Sequence, residues 1–112
     1  MPCKETWSYA MTQKAYDMLG LAQRAGKLIS GEAAVEANLH KGKGKLVILA
    51  NDASARTKNK FIQLAGLTGV QHIIAGDKMR FGISLGKSPR SVLCITDEGF
   101  ARRIKELFSS NL

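Results

Sequence analysis

The string Gly82-Ile83-Ser84-Leu85-Gly86-Lys87-Ser88 comes nearest in this chain to nucleotide chemistry, since glycines followed by Lys and Ser are how a P-loop wraps phosphate. Its spacing fails: three residues separate the glycines where the motif needs four, and a helical pattern precedes it where a strand is required. Gly42-Lys43-Gly44-Lys45 lacks the third glycine of a dinucleotide-binding turn and leads into a strand rather than a helix. Cys3 and Cys94 are too few for a disulfide framework, and neither has a second Cys or a His at ligand spacing. His40 and His72 stand alone as well. No carboxylate pair or nucleophile-base pairing stands out among nine acids and two histidines. The residues therefore point to binding rather than turnover, with no metal and no cofactor.

Charge gives the positive signal. The formal net charge is +8, and it is segregated. Lys4, Lys14, Arg24 and Lys27 are cancelled by Glu5, Asp17, Glu32 and Glu36, and the last 22 residues, 91 to 112, also cancel. Between them Lys41, Lys43, Lys45, Arg56, Lys58, Lys60, Lys78, Arg80, Lys87 and Arg90 face only Asp52 and Asp77. A field concentrated in one region draws polyanions to it, so the expectation is an RNA-binding surface built from residues 41 to 90 and the turn at Gly31.

The elements that would position these groups follow from periodicity. Ala15, Met18, Leu19 and Ala22 define a first helix over about 12 to 25, stopped by Gly26, and residues 1 to 11 read as a flexible segment before a single domain over 12 to 112. Lys27 to Ser30 reads as a strand, and Gly31 opens a second helix from Glu32 to Lys41. Leu46 to Ala50 is a continuous apolar run, the pattern of a strand covered on both faces. Residues 51 to 54 turn into a third helix reaching Leu67, Val70 to Ile74 is a strand, Lys78 to Leu85 a short helix ended by Gly86, and Ser91 to Ile95 the last strand. Thr96 then caps a final helix with Phe100, Ala101, Ile104, Leu107 and Phe108 on one face. This alternation predicts an α/β fold, a three-layer α/β/α sandwich around a four-stranded mixed sheet. Apolar runs fall far short of the roughly 20 residues of a membrane span, so a cytoplasmic protein is expected.

On that scaffold Gly31 leaves backbone N–H groups free at a helix start, where a phosphate or base edge can meet them. Loops after the carboxyl ends of parallel strands gather on one rim, which is expected to unite Gly31 with Lys41, Lys43, Lys45, Asn51 and Asp52, while Lys87-Ser88-Pro89-Arg90 adds a basic loop.

The stretches from Leu19 to Glu32, from Lys45 to Ser54 and from Thr96 to Ala101 resemble the bacterial YlxQ-type members of the ribosomal L-seven-Ae family, with the resemblance running from about residue 12 to 108. The resemblance implies binding to kink-turns, sharply bent RNA duplexes held by tandem sheared G·A pairs. It places Gly31, Glu32, Ala33, Ala34 and Ala37 in the widened major groove and Lys87 to Arg90 over an extruded nucleotide. Strong kink-turn binders of the family commonly carry Asn, Glu and Lys where this chain has Ala33, Ala34 and Ala37. The expected partner is thus structured RNA, ribosomal RNA or the ribosome, rather than DNA or a membrane, bound by a monomer. The alternative is a protein-interaction module on the same fold whose lysines meet an acidic partner.

Overall fold

The computed structural model describes residues 12–109 in full and residues 2–11 by backbone alone. Nine elements follow in the order α1 (Pro2–Arg24), β1 (Leu28–Ser30), α2 (Glu32–His40), β2 (Leu46–Leu49), α3 (Ala55–Leu67), β3 (Gln71–Ile74), α4 (Lys78–Leu85), β4 (Val92–Ile95) and α5 (Glu98–Ser109). The flexible segment expected over residues 1 to 11 lies outside the fully described residues.

The four strands form one sheet in the order β1-β4-β2-β3. β2 pairs with β3 in parallel and with β4 antiparallel, and β1 is antiparallel to β4. The mixed sheet and α/β class predicted from the alternating pattern are what the chain adopts.

The two central strands, β2 and β4, are buried along their whole length, as their unbroken apolar runs require. Alternation divides their side chains between two layers. Leu46, Ile48, Leu93 and Ile95 join Ala15, Leu19, Phe81 and Ile104 from α1, α4 and α5. Val47, Leu49, Val92 and Cys94 join Val35, Leu39, Phe61 and Ala65 from α2 and α3. Helices thus cover both faces. A one-residue slip of either strand would exchange these two sets and is excluded by both cores at once.

The last helix starts later than Thr96 suggests. Thr96 still donates its amide to the Lys27 carbonyl at 2.9 Å, extending the sheet. Asp97 takes the capping role, its carboxylate accepting from the Phe100 amide at 2.9 Å. The chain leaves the sheet one residue further on because that pairing holds it.

Cys94 sits in the layer under α2, its thiol 3.6 Å from the Asn38 amide oxygen, and burial pushes the thiol up to about 11. The neutral thiol is the form the fold favours. This favourable contribution is complete below about pH 9 and disappears as pH rises towards about 11. A separation of that size corresponds to about 2–3 kcal/mol. Urea titrations of the natural protein and Cys94→Ala, run in parallel across that range, should show the natural protein losing stability relative to the variant by about that amount. A constant difference between the two would mean that solvent reaches the thiol in the folded state.

Candidate nucleic-acid interface

Strand direction decides which loops meet. Leu28 of β1 and Leu46 of β2 both stand beside Ile95, and Gln71 of β3 stands beside Leu46. β1, β2 and β3 therefore run the same way and β4 runs against them. Gly31, Asn51, Asp52 and Asp77, which follow strands, share one rim with the segment that leads into β4. It is the rim on which α/β folds ordinarily place ligands.

Gly31 is the pivot of this rim. With φ 96° and ψ 148° it occupies backbone space that a Cβ makes unfavourable. Its amide donates to the Val92 carbonyl at 3.1 Å while its carbonyl accepts from Val35 at 3.0 Å, so the residue belongs to sheet and helix together. No side chain caps α2. The amides of Glu32, Ala33 and Ala34 consequently have no acceptor within the helix and sit at its positive end, a ready anion or base-edge site. Ala33, Ala34 and Ala37 are exposed on the same helix.

The loop into β4 is fastened to this point. Arg90 Nε donates to Ser30 Oγ at 3.3 Å, next to Gly31, and its NH1 donates to Ser88 Oγ at 2.7 Å. The Arg90 amide donates to the Lys78 carbonyl at 3.2 Å, and the Lys87 amide to the Gly82 carbonyl at 2.8 Å. The chain from Lys87 to Arg90 thus returns along α4 to the rim. Gly82 is what allows it: a Cβ there would lie 2.6 Å from the Ser88 carbonyl oxygen and 2.7 Å from that of Lys87. The P-loop-like string is therefore the end of α4, its left-handed Gly86 cap and this return, not a strand-to-helix phosphate loop.

Carboxylates at the rim are largely engaged. Asp52 Oδ1 accepts from the Lys78 amide at 3.0 Å and Asp77 Oδ1 from the Arg80 amide at 2.8 Å, so both hold the start of α4. Asn51 fixes Lys58, whose Nζ donates to the Asn51 carbonyl at 2.6 Å. Thr57 Oγ1 donates weakly to Glu32 Oε2 at 3.4 Å across a polar hollow of about 300 Å³ between α2 and α3, lined also by Ser54, Arg56 and Lys60. Lys60 pairs with Glu36 at 2.9 Å, and its hydrogen bond and charge hold the Glu36 carboxyl below its ordinary value.

The expectation of one basic surface needs correction. Lys41, Lys43 and Lys45 lie at the opposite end of the sheet. They precede β2 rather than follow a strand, and the Lys45 amide donates to the Ile95 carbonyl at 2.7 Å, at the far end of β4. The nine residues of α2 carry the chain there from Gly31, a rise of about 13 Å at 1.5 Å per residue. Of the residues singled out in the sequence, Gly31, Glu32, Ala33, Ala34, Asn51, Asp52, Ser88, Pro89 and Arg90 share the rim. Ala37 stands one turn along α2, and Lys87 lies back along α4.

The rim also holds Arg56, Thr57, Lys58 and Lys78, which the sequence reading counted as charge or passed over. Arg56, Thr57 and Lys58 lie in the first turn of α3, after β2, and Lys78 opens α4, after β3, as Glu32 opens α2 after β1. The same strand-end rule would have found them had strand direction been fixed. Among the described residues no group of three His, Cys, Asp or Glu could hold a metal ion, and no helix is long and apolar enough to cross a membrane. The rim's chemistry is that of hydrogen-bond donors and cations around an uncapped helix start.

A model of the ribosomal protein L7Ae/L30e/S12e/Gadd45 family matches residues 13–105. The chain is 42% identical over 95 residues to the RNA-binding protein YlxQ of Enterococcus faecium, spanning 85% of this chain and 91% of that protein. It is 36% identical over 92 residues to the RNA-binding protein YlxQ of Bacillus subtilis, spanning 82% and 92%. The large ribosomal subunit protein eL30 of Branchiostoma belcheri is 35% identical over 92 residues, 80% of each chain. Among solved structures, a Bacillus halodurans protein with unknown function superposes with a TM-score of 0.81 at 34% identity, covering 86% of this chain and 97% of that one. A 15.5kD RNA binding protein of Giardia lamblia, only 17% identical, shares the fold with a TM-score of 0.73 over 92% of this chain and 91% of its own. The sequence relatives bear the names of RNA-binding and ribosomal proteins rather than of enzymes.

Proposed function

The chain belongs to the ribosomal protein L7Ae/L30e/S12e/Gadd45 family, and we propose that it binds structured RNA through the rim around Gly31, as a binding protein rather than an enzyme. The RNA is a kink-turn or a similarly bent duplex, carried by ribosomal RNA, and the protein acts on it as a monomer in the cytoplasm. The observation that carries this reading is the junction of Arg90 with Ser30, which joins the basic loop to the uncapped start of α2. It gives one edge two different kinds of grip. Backbone amides at the helix start suit a phosphate or a base edge, Lys58, Lys78 and Arg90 suit the phosphates around it, and Lys87, back along α4, suits phosphates further along the same RNA. With alanine at positions 33, 34 and 37, base-edge contacts from α2 are confined to backbone groups and Glu32. Shape and phosphate contacts then carry most of the affinity, in keeping with two YlxQ relatives that are named as RNA-binding proteins.

Anisotropy titrations against a bent and a straight RNA duplex at several salt concentrations test this. Affinity should fall steeply with salt for both RNAs, with the bent one held more tightly. Lys87→Ala should weaken both by similar factors and flatten the dependence of log K on log salt by about one unit, the effect of one lost phosphate contact. Salt-independent, shape-blind binding would favour the protein-interaction module instead.

A further inference from the structure

The lysines at the far end of the sheet belong to a second basic face. Lys27 precedes β1, Lys41 and Lys43 follow α2, Lys45 precedes β2, and Arg102 and Lys105 lie on α5. Their segments are brought together by pairing: the Thr96 amide donates to Lys27 at 2.9 Å and the Lys45 amide to Ile95 at 2.7 Å. Lys45, Arg102 and Lys105 line a cleft of about 240 Å³ with Gln71 and Glu98, and Lys105 Nζ is steadied by Gln71 Oε1 at 2.9 Å. Among the described residues Asp97 and Glu98 stand at the start of α5, Asp97 engaged in capping it, and Glu106 further along α5 pairs with Arg103. The ion pairs among the described residues are His40 with Glu36, Lys60 with Glu36 and Arg103 with Glu106, so none of these six cations is neutralised by contact. Like charges gathered along one edge repel one another, and that cost is recovered when a polyanion lies across them.

We infer that this far face is a second surface for RNA backbone, so that one protein molecule holds two RNA segments at once. The inference rests on the rim around Gly31 being an RNA site. The two faces lie at opposite ends of strands β2 and β4, and loops at opposite ends of a sheet point away from each other, so an RNA segment seated on one face leaves the other open to a second. A phosphate chain suits the far face better than base edges do, because its groups are flexible ammonium and guanidinium donors, of which Lys105 alone is steadied by a side-chain acceptor among the described residues, Gln71.

The full-length protein is mixed with two hairpins of about ten base pairs, one biotinylated and one carrying a dye, and capture of dye on streptavidin reports bridging. Sedimentation of the same mixture reports composition. The expected result is dye capture by complexes of one protein and two hairpins. Lys43→Glu/Lys45→Glu should cut capture by about tenfold while one hairpin still binds, and Lys78→Glu/Lys87→Glu should do the same from the other side. Saturation at one hairpin, unaffected by the far-face reversal, would overturn the inference and leave the rim as the RNA site. One hairpin lost only on far-face reversal would support the far face and overturn the rim. Bridged complexes holding two protein copies would overturn the inference. So would displacement of the hairpin from the rim-reversed variant by polyglutamate as readily as by RNA of equal charge, which would mark a face for an acidic protein.

Discussion

Gly82→Ala is expected to lower the unfolding free energy by about 3 kcal/mol, the upper part of the range for forcing atoms into a filled site. The added methyl would meet the Ser88 and Lys87 carbonyl oxygens at 2.6 Å and 2.7 Å and the Ser88 carbonyl carbon at 2.8 Å. All three are backbone, so no flexible side chain can turn away, and the return from Lys87 to Arg90 must lift off α4. That return also positions Arg90 beside Ser30. The variant should therefore weaken RNA binding at the rim even at temperatures where it is fully folded, although no charge is removed. Gly66→Ala is the matched control. Gly66 lies in α3, and a methyl added there would find no atom within 4 Å, so exchange of this helical Gly for Ala should stabilise by roughly 0.5–1 kcal/mol. Denaturant midpoints for both variants and RNA titrations well below their melting temperatures separate the two effects. Equal stability of Gly82→Ala and the natural protein would show that the loop is not packed on α4 as described.

That pairing of glycines illustrates which features the sequence discloses. Both are helical glycines, and local pattern treats them alike; only the returning chain over α4 distinguishes them. What local pattern does disclose is burial. The apolar run from Leu46 to Ala50 is legible as a strand covered on both faces because nothing else in a small domain tolerates five such residues in a row. Lys78–Leu85 is legible as a helix because its interval of apolar residues and Gly86 agree with each other. The site is legible in part. Gly31 after a strand is a local signal, and the helix start it creates is where that signal puts it. The lysines at 41, 43 and 45 are also a local signal, but their end of the molecule depends on the direction of β2, and direction is set by pairing with β4 more than 40 residues away. Asp52 is a further case. Its sequence neighbourhood fits a ligand loop, whereas its carboxylate is committed to the Lys78 amide. Contacts between distant segments, rather than residue types, decide which members of a basic region share a surface.

The alanines of α2 are where the proposed RNA preference is most open to change. Replacing Ala33 with Asn, Ala34 with Glu and Ala37 with Lys should tighten binding to a kink-turn by about tenfold to a hundredfold, since each well-made contact is worth ~1 kcal/mol or more. All three positions are exposed, so no core contact is lost. Ala33→Asn gives up some helix propensity, while Glu in the first turn and Lys towards the end of α2 suit the helix dipole, leaving stability nearly unchanged. The added Glu and Lys also cancel in charge. General attraction for phosphate therefore stays as it was, and a straight duplex of equal length should be bound no more tightly than before. A gain confined to the kink-turn, and lost when its G·A pairs are disrupted, would mean that α2 enters the groove with its first turn against those pairs. Gel-shift titration of the natural and triple-substituted proteins against kink-turn, disrupted and straight RNAs at fixed salt and magnesium makes the measurement. If the substituted protein gains nothing on the kink-turn and the natural protein holds all three RNAs equally, the start of α2 is not the reading element, and the exposed alanines are better understood as a flat surface for another protein.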